Sequence, residues 1–312
     1  MTNDPLIAIV ILTYRSEAII ERCLESFAQL RYPNASFLIV DNDSRDATAD
    51  IVLTRFPQIS FIPAGGNGGY TGGNNLGIEQ AIKQGAKYVL IVNPDTVLQN
   101  PDFLTEMVGY CETQPRLGIA GPRVFLRAID TIQNTILFPP GLGRNVVHWF
   151  RYRWNSQFAQ LSGAAVASAE MLNGVCVLFR TECLQQIGLF DEPIFMYIED
   201  ADLAYRARLA HWEIRYLPID SVIHEQKEEG YHETGFAAWL LKRNSVYYLL
   251  KIGRRAEAWG YASCSLALFF VKLCLSARRR GFQAYGVFLL KMIKSYTALF
   301  CGQTIGQRWS ER

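Results

Sequence analysis

The sequence predicts an α/β protein with a mainly parallel sheet and helices on both faces, and three observations lead there. Apolar runs of strand length alternate with segments of helical period over the N-terminal part of the chain. Those runs are apolar throughout rather than alternating, as strands covered on both faces are. Half of the 312 residues are hydrophobic and 19% are charged, which supplies a sizeable core and excludes disorder or a coiled coil as the main architecture.

Leu6–Thr13, crowded with Ile and Val, reads as the first strand, and the amphipathic stretch Ser16–Leu30 as the helix after it. Ser36–Asp41 and Arg45–Phe56 repeat the pair, and Ile59–Ile62 is a third strand. A glycine-rich segment, a helix near Gly72–Gln84 and the run Lys87–Val92 follow. Further on, Ile214–Pro218 is another apolar strand, leading to Val222-Ile223-His224.

In open sheets of this kind ligands bind beyond the carboxyl ends of the strands. The residues standing there are Thr13-Tyr14-Arg15, Asp41-Asn42-Asp43-Ser44 and Asn93-Pro94-Asp95. Any one of these groups could be a helix cap or a turn. Three on the same rim point instead to a polar ligand.

The segment Gly65–Asn75 lacks G-x-G-x-x-G and follows the third strand, whereas the dinucleotide fingerprint opens the first helix, which disfavours a hydride-transfer enzyme. Its glycines, with Asn67 and Asn74, describe a backbone that can approach a ligand closely. The second half carries Asn173-Gly174…Arg180, Gly188-x-Phe190-Asp191-Glu192 and Glu199-Asp200-x-Asp202. Three carboxylates within four positions, beside Phe195, Met196, Tyr197 and Ile198, suit general-base work, because apolar neighbours and like charges raise a carboxylate pKa. His224, at a strand end, is either a core histidine or a ligand.

Taken in order, Leu12-Thr13-Tyr14, Val40-Asp41-Asn42-x-Ser44, Asn67-x-Gly69-Tyr70-x-Gly72-Gly73-Asn74-Asn75-x-Gly77, Asn93-Pro94-Asp95, Asn173-Gly174, Gly188-x-Phe190-Asp191-Glu192 and Glu199-Asp200-x-Asp202-Leu203 resemble glycosyltransferase family 2, specifically its rhamnosyltransferase-like members. The resemblance covers about residues 6–226, and its specificity lies in the set and order of the motifs. It implies a GT-A fold, a Rossmann-like sheet, and inverting transfer of a sugar from a nucleoside diphosphate donor. The sugar expected is rhamnose or another deoxyhexose, and the acceptor a lipid-linked or polysaccharide glycan of the cell envelope.

The resemblance also implies roles. Nucleobase and ribose contacts fall on Thr13, Tyr14, Arg15, Asp41 and Asn42, and the rest of the donor pocket on Asn67, Gly69, Tyr70, Gly73, Asn74, Asn93 and Asp95. A divalent cation, Mg or Mn, falls to Asp95 and His224, and the catalytic base is Asp200. Glu199, Asp202, Gly174 and Arg243 are expected to support the acceptor side. One carboxylate suits a hard cation that keeps phosphate and water ligands, and inversion needs one base on the face opposite the leaving group. Three residues depart from the pattern: Arg15 stands where many relatives have Asn, Asn93 replaces the first acid of the metal motif, and His211 occupies a turn where Gly is common.

The charge is divided along the chain. From Lys242 onward there are 13 basic and 2 acidic residues, so a body of net charge −9 precedes a tail of net charge +11. The expected domains are a catalytic domain, residues 1–233, and a helical, basic, membrane-associated region, residues 234–312. In Thr234–Lys251, Arg243 and Asn244 fall on the apolar stripe with Phe236, Trp239, Leu240, Val246, Tyr247 and Leu250. Arg243 there is either an internal ion-pair partner or a group that touches donor or acceptor. Ala258–Val271 is uncharged but shorter than the ~20 apolar residues a span needs. A second stripe, Phe282, Tyr285, Leu289, Met292, Ile293, Tyr296 and Phe300, adjoins Arg278, Arg279, Arg280, Lys291 and Lys294. The pattern predicts attachment to an anionic membrane surface rather than to nucleic acid, the alternative being that both helices pack on the body or on a second subunit.

Seven scattered cysteines without a C-x-x-C pair read as free thiols in a reducing compartment. The N-terminal apolar run lacks a basic flank and is too short for a secretory signal, so the expected location is cytoplasmic, peripheral on the inner face of the cell membrane. A nucleotidyltransferase is disfavoured, since no basic glycine-rich loop follows the first strand. A catalytically silent sugar-nucleotide or glycan binder is the alternative, opposed by the presence of Asp95, Asp200 and His224.

Overall fold

The computed structural model describes residues 4–141, 165–225, 235–276 and 282–303. The chain divides into two compact units. The first comprises Met1–Leu137, Ser156–Glu192 and Asp202–Lys227; the second comprises Phe138–Asn155, Pro193–Ala201 and Glu228–Arg312.

The first unit holds the sheet. Its elements begin β1 (Ile7–Thr13), α1 (Ile20–Phe27), β2 (Ala35–Asp41), α2 (Thr48–Arg55), β3 (Ser60–Pro63), α3 (Gly69–Lys83), β4 (Tyr88–Val92), β5 (Thr96–Leu98) and α4 (Phe103–Glu112). They continue with β6 (Leu117–Leu126), β7 (Ala128–Ile132), β8 (Ile136–Leu137), β9 (Ala167–Ser168), β10 (Met171–Leu172), β11 (Cys176–Arg180), α5 (Thr181–Ile187), α6 (Glu199–Leu209) and β12 (Glu213–His224). The boundary between the units falls inside α6, after Ala201.

Strands run β3-β2-β1-β4-β11-β6-β12-β5, with β7 beside β6 and β9 beside β12. The β3-β2-β1-β4 block is parallel, β11 is antiparallel to both neighbours, and β12 is parallel to β6. Both faces of β1 are covered, which is why its sequence is apolar at every position. Ile7, Ile9 and Ile11 join a core with Ile20, Leu24 and Phe27 of α1 and Phe103, Leu104 and Met107 of α4. On the other face α3 packs so closely that a Cβ on Gly73 would lie 2.3 Å from Leu12 Cδ1, and one on Gly77 2.4 Å from Val10 Cγ1.

Three elements differ from the sequence expectation. Helix α1 starts at Ile20 rather than Ser16, because Ser16 is held in a turn: its Oγ accepts from Tyr14 N and its N–H donates to Thr48 Oγ1. Helix α3 starts at Gly69, so most of the segment read as a ligand-approaching loop is helix, with Gly73 and Gly77 serving the contact with β1. Ile214–Pro218 and Val222–His224 form one strand, β12, whose register shifts between Tyr216 and Val222, around Pro218, which has no N–H for the ladder.

The second unit contains α7 (Phe236–Lys251), α8 (Arg255–Ser276) and α9 (Phe282–Phe300), packed on one another. Trp239 Nε1 donates to Ser295 Oγ at 3.0 Å, Lys291 Nζ lies 3.9 Å from the centre of the Trp239 ring, and the Phe269 and Phe288 rings are 4.7 Å apart. Of the second stripe, Met292 and Tyr296 are buried while Ile293 is exposed. Helix α8 corrects the expectation drawn from its uncharged stretch. It runs for 22 residues, and Arg255–Leu275 is long and apolar enough to cross a membrane, because Glu257 and Lys272 lie within the helix near its ends. Arg278, Arg279 and Arg280 lie outside the described residues.

Candidate active site

At the carboxyl ends of β1 and β2, Thr13, Asp41 and Asn42 are buried and bonded to their own surroundings. Thr13 Oγ1 donates to Asp41 Oδ1 at 2.9 Å, and Asp41 Oδ2 accepts from Ser44 N at 3.0 Å. Asn42 reaches across to the glycine segment, accepting from Gly68 N at 3.0 Å and donating to Gly69 O at 2.8 Å. Asn67 Oδ1 accepts from Gly69 N at 2.9 Å, which turns the chain into α3. These amides therefore shape the rim through the backbone. Arg15 and Asp43 both have left-handed backbones, with φ of 51° and 63°. Arg15 N donates to Ser44 Oγ at 2.8 Å, and its guanidinium lies 5.2 Å from the Tyr14 ring centre.

Helix α3 carries Tyr70 and Asn74. Tyr70 Oη donates to Gly174 O at 2.9 Å, and its ring meets Phe190 edge-on at 5.8 Å. Asn74 Nδ2 donates to Tyr70 O, while its buried Oδ1 has no hydrogen-bond partner among the described residues. Asn75, which the motif contains but which was assigned no role, closes a two-way clamp on Phe190: Nδ2 donates to Phe190 O at 2.9 Å and Oδ1 accepts from Phe190 N at 3.0 Å. Gly73 meets β1 and acts by helix–strand packing.

Strand pairing brings Asp95 and His224 together. His224 is the register partner of Thr96, and Glu225 N donates to Asp95 O at 2.8 Å. His224 Nε2 then lies 3.1 Å from Asp95 Oδ2, and Nδ1 lies 2.9 Å from Gln133 Oε1. Gln133 carries no sequence signal; only the fold places it there. Asn93 N donates to Val175 O and its carbonyl accepts from Thr96 Oγ1, fixing the turn that presents Asp95.

The pair fits a divalent cation. Asp95 Oδ1 is buried without a hydrogen-bond partner among the described residues. With Nδ1–H donated to Gln133 Oε1, the Nε2 lone pair is left for a ligand, the usual arrangement of a metal-binding imidazole. Among the described residues no group of three or more His, Cys, Asp or Glu could hold a metal ion, so Asp95 and His224 alone could supply only part of an ion's coordination.

The carboxylate cluster heads α6. Glu199 is buried and Asp200 half-buried. Burial, with the Asp200 charge adding to it, holds the Glu199 carboxyl well above the usual carboxylate range. Asp202 is buried in the first unit with Oδ2 on Arg206 Nε at 2.9 Å, and the Arg206 guanidinium goes on to the carbonyls of Ile187, Gly188 and Leu189. Just before the helix, Phe195, Tyr197 and Ile198 have φ of 66°, 68° and 76°. A non-glycine residue there costs of order 1–3 kcal/mol, so the surroundings must hold the turn. Arg243, only 1% exposed, donates to Pro193 O and to Asn244 Oδ1, each at 2.6 Å.

A parallel sheet that gathers carboxylates and amides beyond its strand ends, with a carboxylate-headed helix in the second half, is the architecture of a GT-A glycosyltransferase. Solved structures agree on the fold: a mannosyltransferase from Pyrobaculum calidifontis, in complex with GDP-Man and Mn²⁺, superposes with a TM-score of 0.57 at 14% identity, covering 97% of this chain and 89% of that one. GalNAc-T7 with UDP, GalNAc and Mn²⁺ gives 0.59 at 11% identity over 80% of this chain and 48% of that one.

The model for "Glycosyltransferase like family 2" matches residues 4–244, and the chain belongs to that family as a rhamnosyltransferase-like member. It is a glycosyltransferase that uses a nucleotide sugar. An N-acetylglucosaminyl-diphospho-decaprenol L-rhamnosyltransferase of Mycobacterium tuberculosis is 28% identical over 81% of this chain and 86% of its own. The low-salt glycan biosynthesis hexosyltransferase Agl10 of Haloferax volcanii is 26% identical over 76% and 73%, and the rhamnosyltransferase WbbL of Escherichia coli 23% over 70% and 83%.

Proposed function

We propose that the protein moves a deoxyhexose, rhamnose first among the candidates, from a nucleoside diphosphate to a hydroxyl of a lipid-linked or polysaccharide glycan, with inversion. The observation that carries the reading is the Asp95–His224 pair at the sheet rim, with a buried carboxylate oxygen left over. Two relatives named as rhamnosyltransferases, one of them acting on a diphospho-decaprenol glycan, support the sugar and the acceptor.

Asp200 is the base: its carboxylate takes the acceptor proton as the hydroxyl oxygen attacks the anomeric carbon. The bond from that carbon to the diphosphate oxygen breaks, and the nucleoside diphosphate leaves with the electron pair. Burial raises the Glu199 carboxyl well above its ordinary range, which disfavours a second negative charge beside Asp200. Asp95 and His224 would hold Mg²⁺ or Mn²⁺, whose charge when bound offsets that building on the leaving diphosphate. Thr13, Tyr14, Arg15, Asp41 and Asn42 frame the nucleoside, and Asn67, Gly69, Tyr70, Asn74 and Asn93 the rest of the donor. Residues 1–233 act as the catalytic domain, and residues 234–312 as a basic helical region on the inner face of the cell membrane.

Release of nucleoside diphosphate across a panel of donors, with and without chelator, tests the reading. One deoxyhexose donor turns over with acceptor, chelator weakens its binding, and Asp200→Asn loses ~10²–10⁴-fold in turnover while donor binding stays near normal. Donor binding without turnover in the wild type would identify the silent binder instead. Unchanged donor affinity in excess chelator would remove the cation.

A further inference from the structure

The turn before the carboxylate helix is bonded by a side chain of α7. Asn244 of α7 is fully buried, and its two Nδ2 hydrogens are shared among three backbone carbonyls of that turn: Ile194 O at 2.8 Å, Met196 O at 2.8 Å and Tyr197 O at 3.0 Å. Its Oδ1 accepts from Arg243 Nη1, which also donates to Pro193 O. The carbonyls so collected belong to a stretch in which Phe195, Tyr197 and Ile198 are all left-handed without being glycine. Met196 N also donates to Ile194 O, and Ala201 N to Ile198 O, so the turn runs directly into the first residues of α6.

We propose that Asn244 is a positioning residue for the Glu199-Asp200 carboxylates: by binding the carbonyls of residues 194, 196 and 197 it holds the left-handed turn that aims them. The inference rests on Asp200 as the base. An amide is suited to the task because it supplies two N–H donors with no charge, whereas Asp would present only acceptors and Ala nothing. Released from Asn244, residues 195–198 would relax toward ordinary backbone and turn Asp200 away. A displacement of about 1 Å in a reacting group is enough to cost ~10²-fold in rate.

The test is the split between kcat and KM. Asn244→Ala should lose ~10²-fold in kcat for transfer while KM for the donor, and the Kd of the donor nucleotide alone, stay within about threefold. Tyr197→Gly in the same background should recover at least about tenfold of that loss, since glycine adopts the left-handed backbone without cost and the Tyr197 side chain is exposed. If Asn244→Ala gives no folded protein, Tyr197→Gly must restore folded, donor-binding protein. Transfer by Asn244→Ala at near wild-type kcat, a loss lying wholly in donor KM, or no rescue by Tyr197→Gly would each overturn the proposal. Wild-type protein that never transfers sugar would instead sink the functional reading, which keeps the two failures apart.

Discussion

Burial holds the Glu199 carboxyl protonated well above its ordinary range, and the Asp200 charge adds to the effect. A carboxyl raised in the folded state binds its proton more tightly there than in the unfolded chain. Stability is therefore lost as pH rises above the unfolded value near 4.5 and continues to fall until the folded group ionises. Glu199→Gln removes that penalty. The variant should melt above the wild type at pH 7, with the difference vanishing toward pH 4; an equal difference at both pH values would contradict the assignment. Residues buried for packing alone behave differently: the Cys23, Cys111, Cys176 and Cys183 thiols are each pushed up to about 12, so they remain inert thiols in the core.

At the scale of elements, α3 shows how glycines inside a helix serve the site. A Cβ on Gly77 would meet Val10 Cγ1 at 2.4 Å and Val40 Cγ2 at 3.1 Å, both on stiff, fully buried β-branched side chains. Gly77→Ala is expected to destabilise by ~1–3 kcal/mol, because overpacking outweighs the helix propensity gained. Gly72 has nothing within 4 Å of such an atom, so Gly72→Ala should stabilise by ~0.5–1 kcal/mol. Urea midpoints that move in opposite directions for the two variants would check this. The close approach of α3 to β1 also sets Asn74 and Tyr70, one and two turns earlier on the same helix.

The whole molecule is polarised in charge along the chain, and its basic C-terminal helices expose apolar side chains. Trp259, Leu268, Phe270, Val271 and Leu275 on α8, and Val287, Leu290 and Ile293 on α9, are exposed. Such a surface, on helices that also carry Arg255, Lys272, Lys291 and Lys294, suits an anionic lipid interface, where each Lys or Arg near the surface contributes ~1 kcal/mol. Full-length protein should sediment with anionic vesicles, lose most of that binding at high salt, and lose it altogether when truncated near Leu250. Binding that withstands both high salt and alkaline carbonate would make α8 a spanning helix, which its 22 residues permit.

The positions of the strands in the N-terminal half were legible because continuous apolar runs have few other uses than strands buried on two faces. The motifs at their ends located Thr13, Asp41, Asn67 and Asp95 for the same reason: the rim of a parallel sheet is where polar residues collect. Sequence by itself thus determined the fold class, the family and the roster of polar residues. It could not determine what each of them bonds. Asn42 and Asn67 spend their amides on the backbone of the glycine segment, and Gln133 stands behind His224 only because β6 and β12 run side by side. Asn244 is nearly fifty residues from the carbonyls it holds. Periodicity reports which face a residue lies on, whereas a hydrogen bond between distant segments depends on distances that only the packed chain sets.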